Sequence, residues 1–257
     1  MNTKNVEYPI SLKEVFRAEQ VVYQSIHPTP LIYYKSLSDL IGAEIFIKHE
    51  NHLPGGSFKI RGGLNIMHHL KQQGITGVVT FSTGNHGISI ATAAKMTGIE
   101  ATIVLPKGNN PEKNQRIIDA GANLLEAGEN FEQAAQECMR LQEERKLHYI
   151  HAANEPHLIN GVGTEFTEIL KELPDIDAVI LPIGGGSELA AAATVLKSVN
   201  PDIEIYAVQA DSAKAAYLSW RAGAIMQAPN HTFAGGFATG SAYEIQIAFC
   251  AKTNSCS

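Results

Sequence analysis

The segment Lys48-His-Glu-Asn-His-Leu-Pro-Gly-Gly-Ser-Phe-Lys59-Ile-Arg-Gly-Gly63 sets one lysine at the start of a helix, directly after a glycine-rich turn. An amine placed there is partly desolvated and lies near backbone N–H groups. Both effects disfavour the ammonium form, lower the pKa and suit the amine to forming a Schiff base. Ser57 is read as the cap of that helix, because serine hydroxyls accept from the exposed N–H groups of a first turn. Phe58 is read either as a ring beside a ligand or as a core aromatic. Arg61 is expected to reach a carboxylate of the scaffold.

Two further strand-to-helix turns add to this lysine. In Val78-Val-Thr-Phe-Ser82-Thr83-Gly84-Asn85-His86-Gly87 an apolar strand runs into small polar residues and glycines, then into an alanine-rich helix. Hydroxyls and N–H groups at such a turn favour an anion such as a carboxylate, and Asn85 adds an amide that donates and accepts. An ordinary capped turn is the plainer reading of this segment alone. In Ala178-Val-Ile-Leu-Pro182-Ile-Gly184-Gly185-Gly186-Ser187-Glu188 a second apolar strand enters three glycines that open a helix. Successive glycine N–H groups can cradle a phosphate. The run is neither a dinucleotide fingerprint, since Leu189 stands where the last glycine belongs, nor a P-loop, since no Gly-Lys-Ser/Thr follows.

Together the three turns resemble the fold-type II pyridoxal-phosphate enzymes, and within them the threonine/serine dehydratase group. Gly56-Ser57-Phe58-Lys59-Ile60-Arg61-Gly62 is similar to the lysine motif of that family. Ser82-Thr83-Gly84-Asn85-His86-Gly87 is similar to its substrate-carboxylate and cofactor-ring loop, and Pro182-Ile-Gly-Gly-Gly-Ser187 to its phosphate loop. The likeness runs from about Thr29 to about Phe233 and takes in Asn154-Glu-Pro156, Gly161-Val-Gly-Thr164 and Ala207-Val-Gln-Ala210.

The resemblance implies pyridoxal 5'-phosphate as cofactor and a small amino acid as substrate. It implies an α/β fold of two parallel-type αβα sandwich domains of the tryptophan synthase β-like kind. Residues 53–151 would form the smaller inserted domain. Residues 1–52 and 152–257 would form the larger domain that binds the phosphate. Lys59 would carry the cofactor and act as the base at Cα. Gly184, Gly185, Gly186 and Ser187 would hold the phosphate, Asn85 the ring hydroxyl, and Phe58 would lie beside the ring. Ser82, Thr83, Asn85 and His86 would seat the substrate carboxylate. The implied reaction is loss of water from L-threonine or L-serine, giving a 2-oxo acid and ammonia. A homodimer is also implied.

The chain departs from the family pattern at several positions. Thr83 stands where racemising relatives carry Ser; it keeps the hydroxyl but adds a methyl group, so racemisation is not expected. Gln209 stands where cation-activated relatives carry Glu, and a neutral amide is a weak ligand for a hard cation, so no metal is expected there. Ser187 and Glu188 replace a glycine and an apolar residue, and the charge of Glu188 near a phosphate must be paired or turned away. The chain also stops several dozen residues before its relatives do, and its polar tail, Lys252 to Ser257, is unlike theirs. From this the expectation is a C-terminal truncation, with activity in question. The alternatives are β-replacement or threonine synthase-like chemistry on the same cofactor, and a catalytically impaired or regulatory cofactor-binding protein.

The elements that must position these residues alternate between strand and helix over 257 residues, of which 44% are hydrophobic. That alternation indicates a parallel α/β architecture. Helices are expected over Leu12–Ser25, Ser57–Gln72, Asn85–Met96, from Pro111 to before Gly121, Phe131–Arg145, Gly161–Leu173 and Ser187–Val199. Strands are expected over Glu44–His49, Gly77–Phe81, Ala101–Leu105, Asn123–Glu126, His148–His151, Ala178–Ile183 and Ile203–Gln209, with an edge segment near Thr29–Tyr33. The net charge of −6 and dispersed basic residues argue against a nucleic-acid binder. No apolar run is long enough for a membrane span, and Met1–Tyr8 lacks a signal core. Cys138, Cys250 and Cys256 show neither metal nor disulfide spacing, so a cytoplasmic protein is expected.

Overall fold

The computed structural model describes residues 9–244. The expected helix at the N-terminus runs over Leu12–Val22 (α1), where the Ser11 hydroxyl accepts from the Glu14 N–H at 3.3 Å. It stops three residues short of the expected Ser25. A small antiparallel pair follows, β1 (Leu31–Tyr33) and β2 (Phe46–Lys48), with α2 (Lys35–Ile41) between them. Helix α2 is an element that the sequence pattern does not mark.

The lysine motif opens α3 (Lys59–Gln72). Its cap is Phe58, which makes no side-chain capping bond, so the expected capping role of Ser57 is not realised. The next unit is a four-stranded parallel sheet in the order β5-β4-β3-β6. It comprises β3 (Gly77–Phe81), β4 (Glu100–Leu105), β5 (Asn123–Glu126) and β6 (His148–Tyr149). Helices α4 (Asn85–Thr97), α5 (Pro111–Asp119) and α6 (Phe131–Arg145) connect these strands. The inner strands are apolar along most of their length because helices cover both faces. Val78, Val79, Ile103, Val104 and Leu105 are all fully buried. Asn110 and Asn130 cap α5 and α6 through their side chains, and Pro111 sits at the first turn of α5, as its fixed φ favours.

The expected single helix over Gly161–Leu173 is two helices, α7 (Pro156–Val162) and α8 (Thr164–Glu172). They join at Gly163, where a Cβ would come within 2.5 Å of the Val15 side chain of α1. Helix α7 also crosses α3 closely: a Cβ on Gly161 would lie 2.5 Å from the Arg61 carbonyl oxygen. Glycine at this crossing lets the two backbones approach as a larger residue could not.

The last unit pairs β7 (Ala178–Pro182) with β8 (Glu204–Val208) in parallel around α9 (Ser187–Val199). Helix α10 (Ala215–Ala222), also unmarked by the sequence pattern, follows. Residues 187–196 of α9 are buried, and their run of alanines allows close approach to α7 and α8. The polar tail and Cys250 and Cys256 lie outside the described residues; Cys138 is buried. Among the described residues no helix is long and apolar enough to cross a membrane.

Candidate active site

In the four-stranded sheet, the chain leaves β3 for β4 on one side and later returns to place β6 on the other. Such a reversal of strand order opens a crevice at the carboxyl ends of the strands, where ligands of open α/β sheets bind. The residues at that place are Ser82–Gly87 after β3 and Ile150–Asn154 after β6.

The turn after β3 is tied by one side chain. Ser82 Oγ accepts from the N–H of Gly87 at 3.0 Å and of Gly84 at 3.3 Å. Gly84 caps α4, so Asn85 and His86 are the first two helical residues, whose N–H groups have no partner within the helix. Asn85 is exposed, and Thr83 is partly exposed. These N–H groups and side chains stand together at the turn where the sequence places a seat for an anion. His86 differs: its ring is buried, with Nε2 3.1 Å from Thr80 Oγ1, and its Nδ1 has no hydrogen-bond partner among the described residues. Burial first, then the positive charge of Lys59, push its pKa down to about 3, so the ring is neutral. His86 therefore contributes its backbone N–H at the turn, while its ring packs beneath.

The glycine loop after β7 turns through Gly186, whose φ of 85° lies in the left-handed region that glycine adopts freely. Ser187, fully buried, begins α9. The loop is closed from outside by the turn at Gly235–Phe237, which lies outside the three sequence motifs. A Cβ at Gly184 would collide with the Gly236 carbonyl oxygen, and Thr239 Oγ1 lies 3.5 Å from the Gly184 carbonyl. The adjacent glycines 235 and 236 are the one local signal for such an approach. Ala153 lies against Gly185, and the next residue, Asn154, has a buried Oδ1 with no hydrogen-bond partner among the described residues. His151 Nδ1 accepts from the N–H groups of Ala153 and Asn154 at 3.0 and 2.9 Å and holds this segment in place.

Lys59 reaches the glycine loop. Its Nζ donates to Ser187 Oγ at 2.7 Å, across 128 residues of sequence, and lies 4.8 Å from the centre of the Phe58 ring. The side chain as a whole is half-buried, but its amine end is enclosed by protein. Burial lowers the amine's pKa below the ordinary lysine value, against an opposing pull from Glu188. Phe58 meanwhile packs against the core.

Arg61 does reach scaffold carboxylates. Fully buried, it forms a fork with Glu50 at 2.7 and 2.8 Å and another with Glu168 at 2.5 and 2.9 Å. Glu168 also takes Lys48 at 2.7 Å and the Tyr23 hydroxyl at 2.7 Å. Burial pushes the Glu168 pKa up, but hydrogen bonds from Arg61 outweigh it and hold the carboxylate below its usual range. This network fixes the start of α3 to α8 and so holds Lys59 in register with the glycine loop. A shallow cavity lined by Ile176, Asp177, Asn200, Asp202, Ile203 and Glu204 lies at the opposite ends of β7 and β8 and plays no part in this arrangement.

These residues fit pyridoxal phosphate. The amine is desolvated, the glycine cradle has no room for a side chain at Gly184, and a hydroxyl stands at the helix start within reach of the amine. All three suit an aldehyde-bearing phosphate ester.

Residues 22–255 match the family described as Pyridoxal-phosphate dependent enzyme. An L-threonine ammonia-lyase of Thermotoga maritima is 36% identical over 215 residues, 83% of this chain and 54% of that protein. The human serine racemase is 35% identical over 224 residues, 86% of this chain and 66% of that protein. The structure of maize serine racemase superposes with a TM-score of 0.91 at 30% identity, covering 97% of this chain and 76% of that one. The chain spans about half the length of the threonine ammonia-lyases it matches.

Proposed function

The chain belongs to the pyridoxal-phosphate dependent enzyme family, and we propose that it catalyses β-elimination of water from L-threonine or L-serine, yielding a 2-oxo acid and ammonia. The observation that carries this reading is the 2.7 Å contact between Lys59 Nζ and Ser187 Oγ, which brings a desolvated amine to a glycine cradle. Bound pyridoxal phosphate supplies an electron sink for the bond broken at Cα.

The chain's own residues do the rest. Gly184, Gly185 and Gly186 offer N–H groups, and Ser187 a hydroxyl, to the phosphate. Asn85 would bond the ring hydroxyl, and Phe58, packed on the core, would flank the ring. The turn N–H groups at Asn85 and His86, with Ser82 and Thr83, orient the substrate carboxylate. Lys59, with its lowered pKa, is neutral often enough near physiological pH to take the Cα proton, and it returns that proton toward the departing hydroxyl. In this reading residues 53–151 form the smaller domain, residues 1–52 and 152–257 the larger, and the enzyme acts as a cytoplasmic homodimer.

The likeness to serine racemases supports a second reaction at the same site. Racemisation needs a proton donor on the face opposite Lys59, and the Thr83 hydroxyl is the candidate. Chiral analysis of serine separates the two readings: 2-oxo acid without D-serine supports elimination alone.

The deciding experiment adds pyridoxal phosphate to the purified protein, records the visible spectrum, reduces with borohydride and maps the labelled peptide. Label on Lys59, together with 2-oxo acid release from threonine, is the expected result. Lys59→Ala is expected to lower turnover by about a thousandfold. Label scattered over surface lysines would overturn the assignment.

A further inference from the structure

Tyr243 stands outside the three sequence motifs, yet its ring comes to the glycine loop. A Cβ placed on Gly185 would lie 3.6 Å from the Ala153 Cβ and 3.9 Å from Tyr243 Cε2, so these two side chains flank the loop at ordinary contact distance. Tyr243 is half-buried there.

The ring is held by His151. The two ring centres are 5.0 Å apart and their planes meet at 88°, the edge-to-face arrangement that aromatic rings favour. His151 is itself fixed. Its Nδ1 accepts from the N–H groups of Ala153 and Asn154, so that nitrogen carries no proton, and the ring cannot turn without giving up both bonds. His151 also meets Tyr149, at the end of β6, edge to face at 6.3 Å, and Tyr149 stacks on Phe81 at 6.4 Å. Phe81 is the last residue of β3, directly before Ser82. A row of rings therefore runs from the end of β3, across β6, to the glycine loop.

A glycine loop has no side chains to hold its shape, and its N–H groups serve a phosphate only when they converge. Gly184 is held by the close approach of Gly236. At Gly185 the neighbours are Ala153 and Tyr243, and His151 fixes both, the first through the backbone and the second through its ring.

We propose that Tyr243 is a positioning residue for the phosphate site: clamped edge to face by His151, its ring braces the glycine loop at Gly185 against the four-stranded sheet. The ring does this, and the hydroxyl is not needed for it. The loop is thereby kept in the shape that lets its N–H groups point at one anion.

The inference rests on the glycine loop holding the phosphate, and the test separates the two. Pyridoxal phosphate and pyridoxal, which share a ring and an aldehyde and differ in the phosphate, are each titrated into the purified cofactor-free protein by fluorescence. The unaltered protein is expected to bind the phosphate ester more tightly. In Tyr243→Ala the Kd of pyridoxal phosphate is expected to rise by about tenfold, with that of pyridoxal unchanged. In Tyr243→Phe both are expected to stay within about twofold of the unaltered protein, because the ring is kept. A preference for the phosphate ester that survives Tyr243→Ala, or equal weakening of both ligands, overturns the role of Tyr243 alone. Equal affinity of the unaltered protein for the two ligands overturns the phosphate assignment of the loop and this role with it. Should Tyr243→Ala not fold by circular dichroism, protein labelled with 3-fluorotyrosine decides. The Tyr243 fluorine resonance, identified by its loss in Tyr243→Phe, is expected to shift when inorganic phosphate is added, and an unmoved resonance overturns the proposal.

Discussion

The two parallel sheets each deliver one turn to the site, yet they are built differently. Both β3 and β7 are short apolar strands that run into a small-residue turn and a helix. Strand β3 is buried on both faces, with helices above and below. Strand β7 is buried on one face only: Leu181 is 3% exposed and Ile180 71% exposed. Tyr206 and Val208 of β8 continue the open face. The turns differ as well. The one after β3 is tied internally by Ser82, whereas the glycine loop after β7 is closed by Gly236 and Thr239, from a part of the chain far along the sequence. A self-tied turn rests on its own sheet; the glycine loop depends on a distant segment.

Substitutions and acid can sharpen or break this contrast. Arg61→Met cuts the join between the two regions and leaves Glu50 and Glu168 buried without their cation. It is expected to destabilise by about 3–5 kcal/mol in urea unfolding, because unpaired buried charge is the costly outcome. Truncating equivalent isoleucines comes next. Ile103→Ala in β4 is expected to cost about 2–5 kcal/mol, and Ile180→Ala in β7 less than about 0.5 kcal/mol. Similar losses at both positions would mean that the outer face of β7 is covered in solution.

The turns give the third test. Gly184→Ala forces the Gly235–Phe237 turn away and is expected to cost about 1–3 kcal/mol, as overpacking does, with weaker pyridoxal-phosphate binding in fluorescence titration. Ser82→Ala removes one side-chain acceptor and is expected to cost about 1 kcal/mol. The reverse ranking would break the contrast between a self-tied and a borrowed turn.

The smallest effect is acid sensitivity. The folded-state pKa of His86 lies at about 3, below its ordinary value of 6.5. A lowered folded value means that the unfolded chain binds the proton first. The contribution of His86 is thus full above pH 6.5 and is lost as pH falls from 6.5 toward about 3. His157, also held neutral by burial with its pKa at about 4, adds the same sign over pH 6.5 to 4. Melting temperatures are expected to drop through that window, with a shallower drop in His86→Gln.

Much of this was legible in the sequence, for a physical reason. The turn after β3, the glycine loop and the lysine motif are local objects. Strand period, glycine at a left-handed position and small polar residues at a helix start all act over a short stretch of chain. Strands β3 and β5 and helices α6 and α9 accordingly have the ends the pattern predicts. Local pattern fails where tertiary contact overrides propensity. Ser57 does not cap α3, and the predicted helix over Gly161–Leu173 breaks at Gly163, where the chain packs closely on Val15 of α1.

The sequence by itself determined which chemical groups the chain carries and that they stand at strand-to-helix turns. Tertiary structure alone decided which groups meet. Lys59 finds Ser187 across 128 residues and Arg61 finds Glu168 across 107. Charge pairing in a low-dielectric interior depends on distances between elements, and those are fixed only when the helices pack.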